Sequence, residues 1–491
     1  MNIPEFPLPA AYENLEPAAV WKQFAALNAI PRPSGAEDAA RAYIQQLAAA
    51  REARWDVDAR GNLVVQLPAS DANVEAPIVV LQSHLDMVCQ QRPNVNHDFD
   101  VDPILPRREG DKITATGTTL GADNGLGAAM MMAILAEDGL KHPPLELLFT
   151  VEEETGLFGA TELDPELVKG RLMINLDSED PDEITIGCAG GAGTSLTLPL
   201  VREPLLDSSK WEITVGGLAG GHSGMEIGKP LANAIKVLIE VVNAARIAAA
   251  ELRLISVEGG TAHNAIPRDA VAHVAVPDAQ KAAFERAFDA RAAELKAIWK
   301  PDEPNLEITV AQSNSVSPPM DAAGTATALE LLRALPHGVA QMSERFAGKV
   351  QTSSNLAVVV TREGEIEVHV SNRSFLADDL ANLQASEANL GEAAGARTEV
   401  RENYPGWEPR DESPLREKTV AVYRRVMGRE PIVEVVHAGL ECGLLSEKFP
   451  DIDAVSFGPL IKGAHTPEEW ASIQSTREMW EVLTGLLEDL A

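Results

Sequence analysis

Basic residues and cysteines are both scarce in this chain. Lys and Arg number 41 against 74 Asp and Glu, a formal net charge of −33 over 491 residues. A nucleic-acid partner requires a basic footprint, and no Lys/Arg cluster supplies one. The same acidity disfavours adhesion to anionic membranes, and solubility is its plainest reading. The three cysteines, Cys89, Cys188 and Cys442, are odd in number and lack C-x-x-C spacing. That argues against a disulfide framework and for a reducing compartment. No apolar run approaches the ~20 residues of a membrane span. The opening MNIPEFPLPAAYENLEPAAVWKQF has no basic stretch followed by an apolar one, so no signal peptide is expected. These absences predict a cytoplasmic protein without nucleic-acid or membrane partners.

What is present is a chain with 45% hydrophobic residues, enough for large cores. Its length suggests about two to four domains. Helical spacing from residue 15 to about 50 is interrupted by the turn signal IPRPSG. NLVVQLP, APIVVLQSHLDMV, PLELLFTVEE and GRLMINLDSED read as strands, and NGLGAAMMMAILAEDGL as a helix. Wholly apolar strands alternating with helices predict an α/β domain with a mainly parallel sheet covered by helices on both faces. After about residue 190 the strands alternate instead, as in KWEITVGG and GEIEVHVSNRSF, which predicts an α+β sheet with one thinly covered face. Two strand–helix–strand–strand runs, at about 211–277 and 306–403, suggest a duplication. The helix-and-buried-strand pattern returns after NYPGWEPRDESP. The expected organisation is one α/β domain, residues 1–190 and 406–491, interrupted by an insertion at 191–405.

Polar residues collect where the apolar strands end. His84 and Asp86 follow IVVLQS, and Asp177 follows RLMINL. Glu152, Glu153 and Glu154 follow LELLFTV, three adjacent carboxylates that repel one another and are costly to desolvate. Asp123 lies in the Gly-rich turn TTLGADNG, and His465 in the loop after DAVSFGP, before a helix expected from about residue 467. In an open α/β sheet, ligands gather at the carboxyl ends of strands. Each piece alone has a plainer reading: a solvated turn acid, a glutamate pair on a helix face, or a helix N-cap at Asp123. Together, His84, Asp123, Glu154 (or its neighbour Glu153), Asp177 and His465 suit a pair of zinc ions roughly 3.5–4 Å apart. A short carboxylate would bridge them, and Asp86 would fix the tautomer of His84. One of the adjacent glutamates then stays uncoordinated, as a base for a water shared by the two ions. Cobalt or manganese suits the same O/N donors.

SHLDMV, GTTLGADNGLG, VEEETG, NLDSED and GAHTPEEW resemble the motifs of the co-catalytic zinc peptidases, which include aminoacylases, carboxypeptidases and dipeptidases. IPRPSG, GGLAGGHSG, GGTAHNAIPRDA and HAGLECGLL are similar to the aminoacyl-histidine dipeptidase branch (Xaa-His dipeptidase, peptidase D), so the likeness covers nearly the whole chain. The resemblance implies that His84 and Asp177 hold one zinc, Glu154 and His465 the other, and Asp123 bridges both. Asp86 would orient His84, Glu153 would be the general base, and the Asp123–Asn124 peptide bond would be cis. The insertion would be a lid, with His222 stabilising the tetrahedral intermediate and Asn264 and Arg373 gripping substrate. Without the resemblance, His222 reads as part of a Gly-rich turn and Arg373 as a surface arginine. Glu441 is a candidate receptor for the substrate amino group, although a His437–Glu441 pair one helical turn apart explains it almost as well.

The implied activity is hydrolysis of small dipeptides, Xaa-His types among them, with a homodimer as the candidate assembly. A tripeptide aminopeptidase, or an N-acyl amino acid deacylase or carboxypeptidase of the same clan, is the nearest alternative. A metal-dependent binding protein with structural zinc is the alternative from another class.

Overall fold

Val79–His84 and Leu145–Thr150 are buried at every position, as strands covered on both faces must be. They lie side by side and parallel, near the middle of an eight-stranded sheet. The computed structural model describes residues 4–70 and 76–491. The chain divides into two compact units. The first comprises Met1–Gly187, Trp407–Val435 and Leu440–Ala491; the second comprises Cys188–Gly406 and Val436–Gly439.

In the first unit the sheet order is Arg54–Val57, Leu63–Leu67, Leu145–Thr150, Val79–His84, Leu172–Asn175, Asp453–Ser456, Glu183–Cys188, Ile432–Val436. The four strands from Leu145–Thr150 to Asp453–Ser456 are mutually parallel. Leu63–Leu67 pairs antiparallel on both its edges, and Glu183–Cys188 pairs antiparallel with Asp453–Ser456. The expectation of a mainly parallel sheet is therefore corrected: the parallel part is a central block, and antiparallel pairing dominates the protein. Burial encodes coverage and not direction. Leu63–Leu67 is nearly as buried as its parallel neighbours.

The helix Ala122–Ala136 packs on Val79–His84 and on the helix Ala18–Ala29. Its residues Met130, Met131, Met132, Ile134 and Leu135 are all buried, the composition of a helix enclosed on every side. A separate four-stranded sheet joins Ile461–Lys462, Trp470–Ser472, Lys112–Ala115 and Pro106–Glu109. His465 lies in the hairpin loop between the first two of these strands, and the helix expected from about residue 467 begins only at Ile473, capped by Ser472. Among the described residues no helix is long and apolar enough to cross a membrane.

The second unit is built on a nine-stranded sheet whose described pairings are all antiparallel. Alternation in Ser208–Gly216 places Trp211, Ile213 and Val215 in the core with Leu238, Val242, Phe284 and Leu329 from the helices. The strand Glu365–Ser374 alternates until its last three residues, Asn372, Arg373 and Ser374, which are buried despite being polar.

Candidate metal centre

His84 closes its strand inside the first unit, with its ring buried. Nε2 lies 3.2 Å from Oδ1 of Asp123 and 3.4 Å from Oδ1 of Asp177. Nδ1 faces Oδ1 of Asp86 at 3.3 Å. The Asp86 carboxylate is otherwise occupied. It accepts from the N–H groups of Glu153 and Glu154, both at 3.1 Å, and from the Ser34 hydroxyl at 2.7 Å. Burial alone would raise its pKa, but His84 and these donors outweigh burial and hold it at about 2. An acid placed behind an imidazole in this way orients the ring and raises its basicity as a ligand.

The second histidine meets the other side of the same aspartate. Nε2 of His465 is 3.1 Å from Oδ2 of Asp123 and 3.1 Å from Oε2 of Glu154. His465 has a positive φ of 64°. Asp123 thus shows one oxygen to each histidine and caps no helix, which corrects the plainer reading of the ADNG turn. Its bond to Asn124 is cis, as the resemblance implies.

The three successive glutamates diverge. Glu152, at φ 51°, pairs with Arg60 at 2.7 Å. Glu154 turns toward His465. Glu153 has a pKa well above the usual carboxylate range because of burial, with the charges of Asp177, Glu154 and Glu441 adding to it. Two other acids nearby behave alike. Burial pushes Asp177 up to about 6, and burial with Asp123 and Asp177 pushes Glu179 up to about 8. Hydrogen bonds to Asp123 and Glu154 push His465 up to about 11. The carboxylates concentrated here attract positive charge.

His84, Asp123 and Glu154 can each bring one ligand atom within 4.8 Å of the others. Two ligands on one zinc, with bonds of about 2.0–2.1 Å at a tetrahedral angle, stand roughly 3.3 Å apart. The contacts of 3.1–3.4 Å around His84 and His465 match that spacing. Among the described residues, Oε1 of Glu154 is buried without a hydrogen-bond partner, as a carboxylate oxygen suited to a cation would be. These residues fit a divalent metal.

Of the remaining candidates, Glu441 is close enough to Glu153 to act on its charge. Glu441 is buried in the first unit, accepting from Nε2 of Gln82 at 2.6 Å and from the Thr150 hydroxyl at 2.7 Å, and burial raises its pKa to about 7. His437 lies before the helix Glu441–Lys448, so the two are not one helical turn apart, and its Nε2 meets the Ser353 hydroxyl at 2.7 Å. In the second unit, Nδ1 of His222 accepts from the N–H groups of Gly224 and Met225 at 3.3 and 3.1 Å, so its proton sits on Nε2. Asn264 is exposed. Arg373 is no surface arginine: its side chain is buried and donates to the Tyr404 hydroxyl at 2.5 Å.

Residues 80–489 match the sequence model of Peptidase family M20/M25/M40. The chain belongs to that family. Among its relatives, the cytosol non-specific dipeptidase of Escherichia coli (strain K12) is 38% identical over 477 residues, covering 97% of this chain and 98% of the relative. The structure of aminoacylhistidine dipeptidase from Vibrio alginolyticus superposes with a TM-score of 0.88 at 35% identity, over 97% of this chain and 98% of that one. Aminopeptidase PepT from Bacillus cereus shares the fold, with a TM-score of 0.56 at 16% identity over 97% of this chain and 99% of that one.

Sequence reasoning passed over two residues in this M20 centre, Arg32 and Glu469. Both stand inside motifs, IPRPSG and GAHTPEEW, and their partners are backbone groups of segments distant in sequence.

Proposed function

We propose that this M20-family chain is a metal-dependent dipeptidase that hydrolyses small dipeptides, those with C-terminal histidine among them. The observation that carries the reading is the division of the Asp123 carboxylate between His84 and His465. The relatives in E. coli and V. alginolyticus, named as dipeptidases and matched over nearly their full length, support it. The resident metal is proposed as two zinc ions, with cobalt or manganese as substitutes. His84 and Asp177 would hold one, Glu154 and His465 the other, with Asp123 shared. Bound there, such ions would polarise the scissile carbonyl and supply hydroxide near neutral pH.

The chain's own residues are assigned the remaining work. Asp86 holds His84 in the tautomer whose Nε2 is free to ligate. Glu153 takes the proton of the attacking water and returns it to the leaving amine. Residues 1–190 and 406–491 form the proposed catalytic domain. Within 191–405, Arg373 is proposed to hold the substrate carboxylate, and Asn264 and His222 to donate toward the developing oxyanion. The Nε2–H tautomer of His222 supports a donor role. Glu441 is proposed to receive the substrate amino group.

A panel of dipeptides, their N-acylated forms and tripeptides, assayed with and without chelator, tests this reading. Turnover confined to dipeptides with a free amine, abolished by chelation and restored by zinc, is the expected result. Preferential cleavage of tripeptides or N-acyl amino acids would replace it with one of the other clan activities.

A further inference from the structure

Leu120, Gly121, Ala122 and Asp123 direct all four of their backbone N–H groups at one carboxylate. Oε2 of Glu469 accepts from Leu120 and Gly121 at 2.7 and 3.0 Å, and Oε1 accepts from Ala122 and Asp123 at 2.7 and 3.3 Å. Glu469 is only 1% exposed, so these donors stand in for water. The turn that makes them converge depends on Gly121, at φ 69°.

On the other side of the turn lies Arg32, also 1% exposed. Its Nη2 donates to the carbonyl of Gly121 at 2.6 Å, and its Nη1 to the carbonyls of Leu85 and Asp86 at 2.8 and 3.0 Å. A Cβ on Gly121 or Gly125 would lie 2.5 or 2.6 Å from Arg32 Nη2, so both glycines make room for the guanidinium.

The consequence falls on Asp123. An aspartate in a tight turn ordinarily spends its oxygens on nearby N–H groups. Asp58 does so here, accepting at Oδ1 from Arg60, Gly61 and Asn62 at 3.0, 2.9 and 2.9 Å. Asp123 makes no such turn bond among the described residues: Glu469 holds the N–H of Asp123 and the three before it, and both Asp123 oxygens face the histidines.

We propose that Glu469 and Arg32 are positioning residues of the metal centre. Glu469 gathers the four N–H groups of the 120–123 turn, which fixes the backbone that aims the Asp123 carboxylate between the histidines, and it fastens that turn to the loop carrying His465. Arg32 fastens the same turn to the His84–Asp86 segment. The inference rests on the metal-centre reading above.

The test is Co2+ titration of the metal-stripped full chain, followed by visible absorption and by chelator competition, for wild type, Glu469→Gln, Glu469→Asp, Arg32→Lys and Glu468→Gln. Glu469→Gln replaces one acceptor oxygen with a donor and should weaken Co2+ binding by about 10–100-fold, the usual scale for partners behind metal ligands. Its Co2+ band should also change shape. Glu469→Asp, which keeps the charge on a shorter arm, should recover part of the affinity, and Arg32→Lys should weaken binding because one ammonium cannot reproduce the fork. The exposed neighbour Glu468, paired with Arg92 at 3.2 Å, should be indifferent to substitution. If Glu469→Gln does not fold, Glu469→Asp decides alone. A cooperatively folded Glu469 variant with wild-type Co2+ affinity and spectrum overturns the proposal while leaving the metal centre standing. Failure of the wild-type chain to bind Co2+ overturns both.

Discussion

Asp86 stands 3.3 Å from Nδ1 of His84 while its carboxylate also receives the N–H groups of Glu153 and Glu154. One buried acid therefore ties the strand end bearing His84 to the strand end bearing the proposed base and a proposed ligand. Asp86→Asn should reduce metal affinity about 10–100-fold. It should also lower the thermal midpoint, since an amide puts a donor among donors. Chelator competition and calorimetry measure the two effects. Unchanged affinity would show that His84 needs no such orientation.

Asp123→Ala and His465→Ala should differ in kind. Losing the aspartate between the two histidines should empty the centre of both proposed ions, whereas losing His465 should chiefly weaken one. Metal analysis after gentle purification reads the stoichiometry. Full metal content in Asp123→Ala would falsify its bridging assignment.

The three adjacent glutamates should separate under the same substitution. Glu153→Gln is expected to keep fold and metal and to lower kcat by roughly 10²–10⁴-fold, the scale of a general base. Glu154→Gln should lose metal occupancy. Glu152→Gln removes a partly exposed pair with Arg60 and should change stability by about 1 kcal/mol at most, with activity preserved. Parallel loss of metal and activity at Glu153 and Glu154 would erase the distinction.

Arg373→Ala should raise KM for a dipeptide strongly and narrow the kcat/KM gap between that dipeptide and its C-terminal amide. A guanidinium takes a carboxylate by two parallel hydrogen bonds, and the amide offers no matching anion. Tyr404→Phe, which removes the hydroxyl that accepts from Arg373, should shift the same ratio less. An unaltered ratio in Arg373→Ala removes this residue from substrate binding.

His437 gives a pH dependence. Burial, with Arg373 adding positive charge, pushes its pKa down to about 3, against roughly 6.5 in an unfolded chain. Between these values the unfolded state binds more protons, so stability rises with pH across the window. The contribution is complete above about pH 6.5 and is lost as pH falls toward 3. In urea unfolding between pH 6.5 and 4, His437→Gln should therefore lose stability less steeply than wild type. Equal slopes would show that His437 protonates as easily folded as unfolded.

The local pattern determined by itself where apolar strands stop and which polar residues stand at their ends. His84, Glu153, Glu154 and Asp177 were legible because burial on both faces leaves a continuous apolar run with an abrupt polar limit. Strand direction was not legible, because Leu63–Leu67 and Val79–His84 are covered alike and yet one pairs antiparallel. The sequence also left open whether Asp123 caps a helix or faces outward. The two oxygens of Asp123 meet His84 and His465, and Glu469, 346 residues from it, fixes its backbone by taking its N–H. Every backbone donor must find an acceptor, and which side chain supplies it depends on what the fold brings near. Hydrophobic periodicity is written along the chain, whereas the allocation of buried hydrogen bonds exists only once distant segments have met.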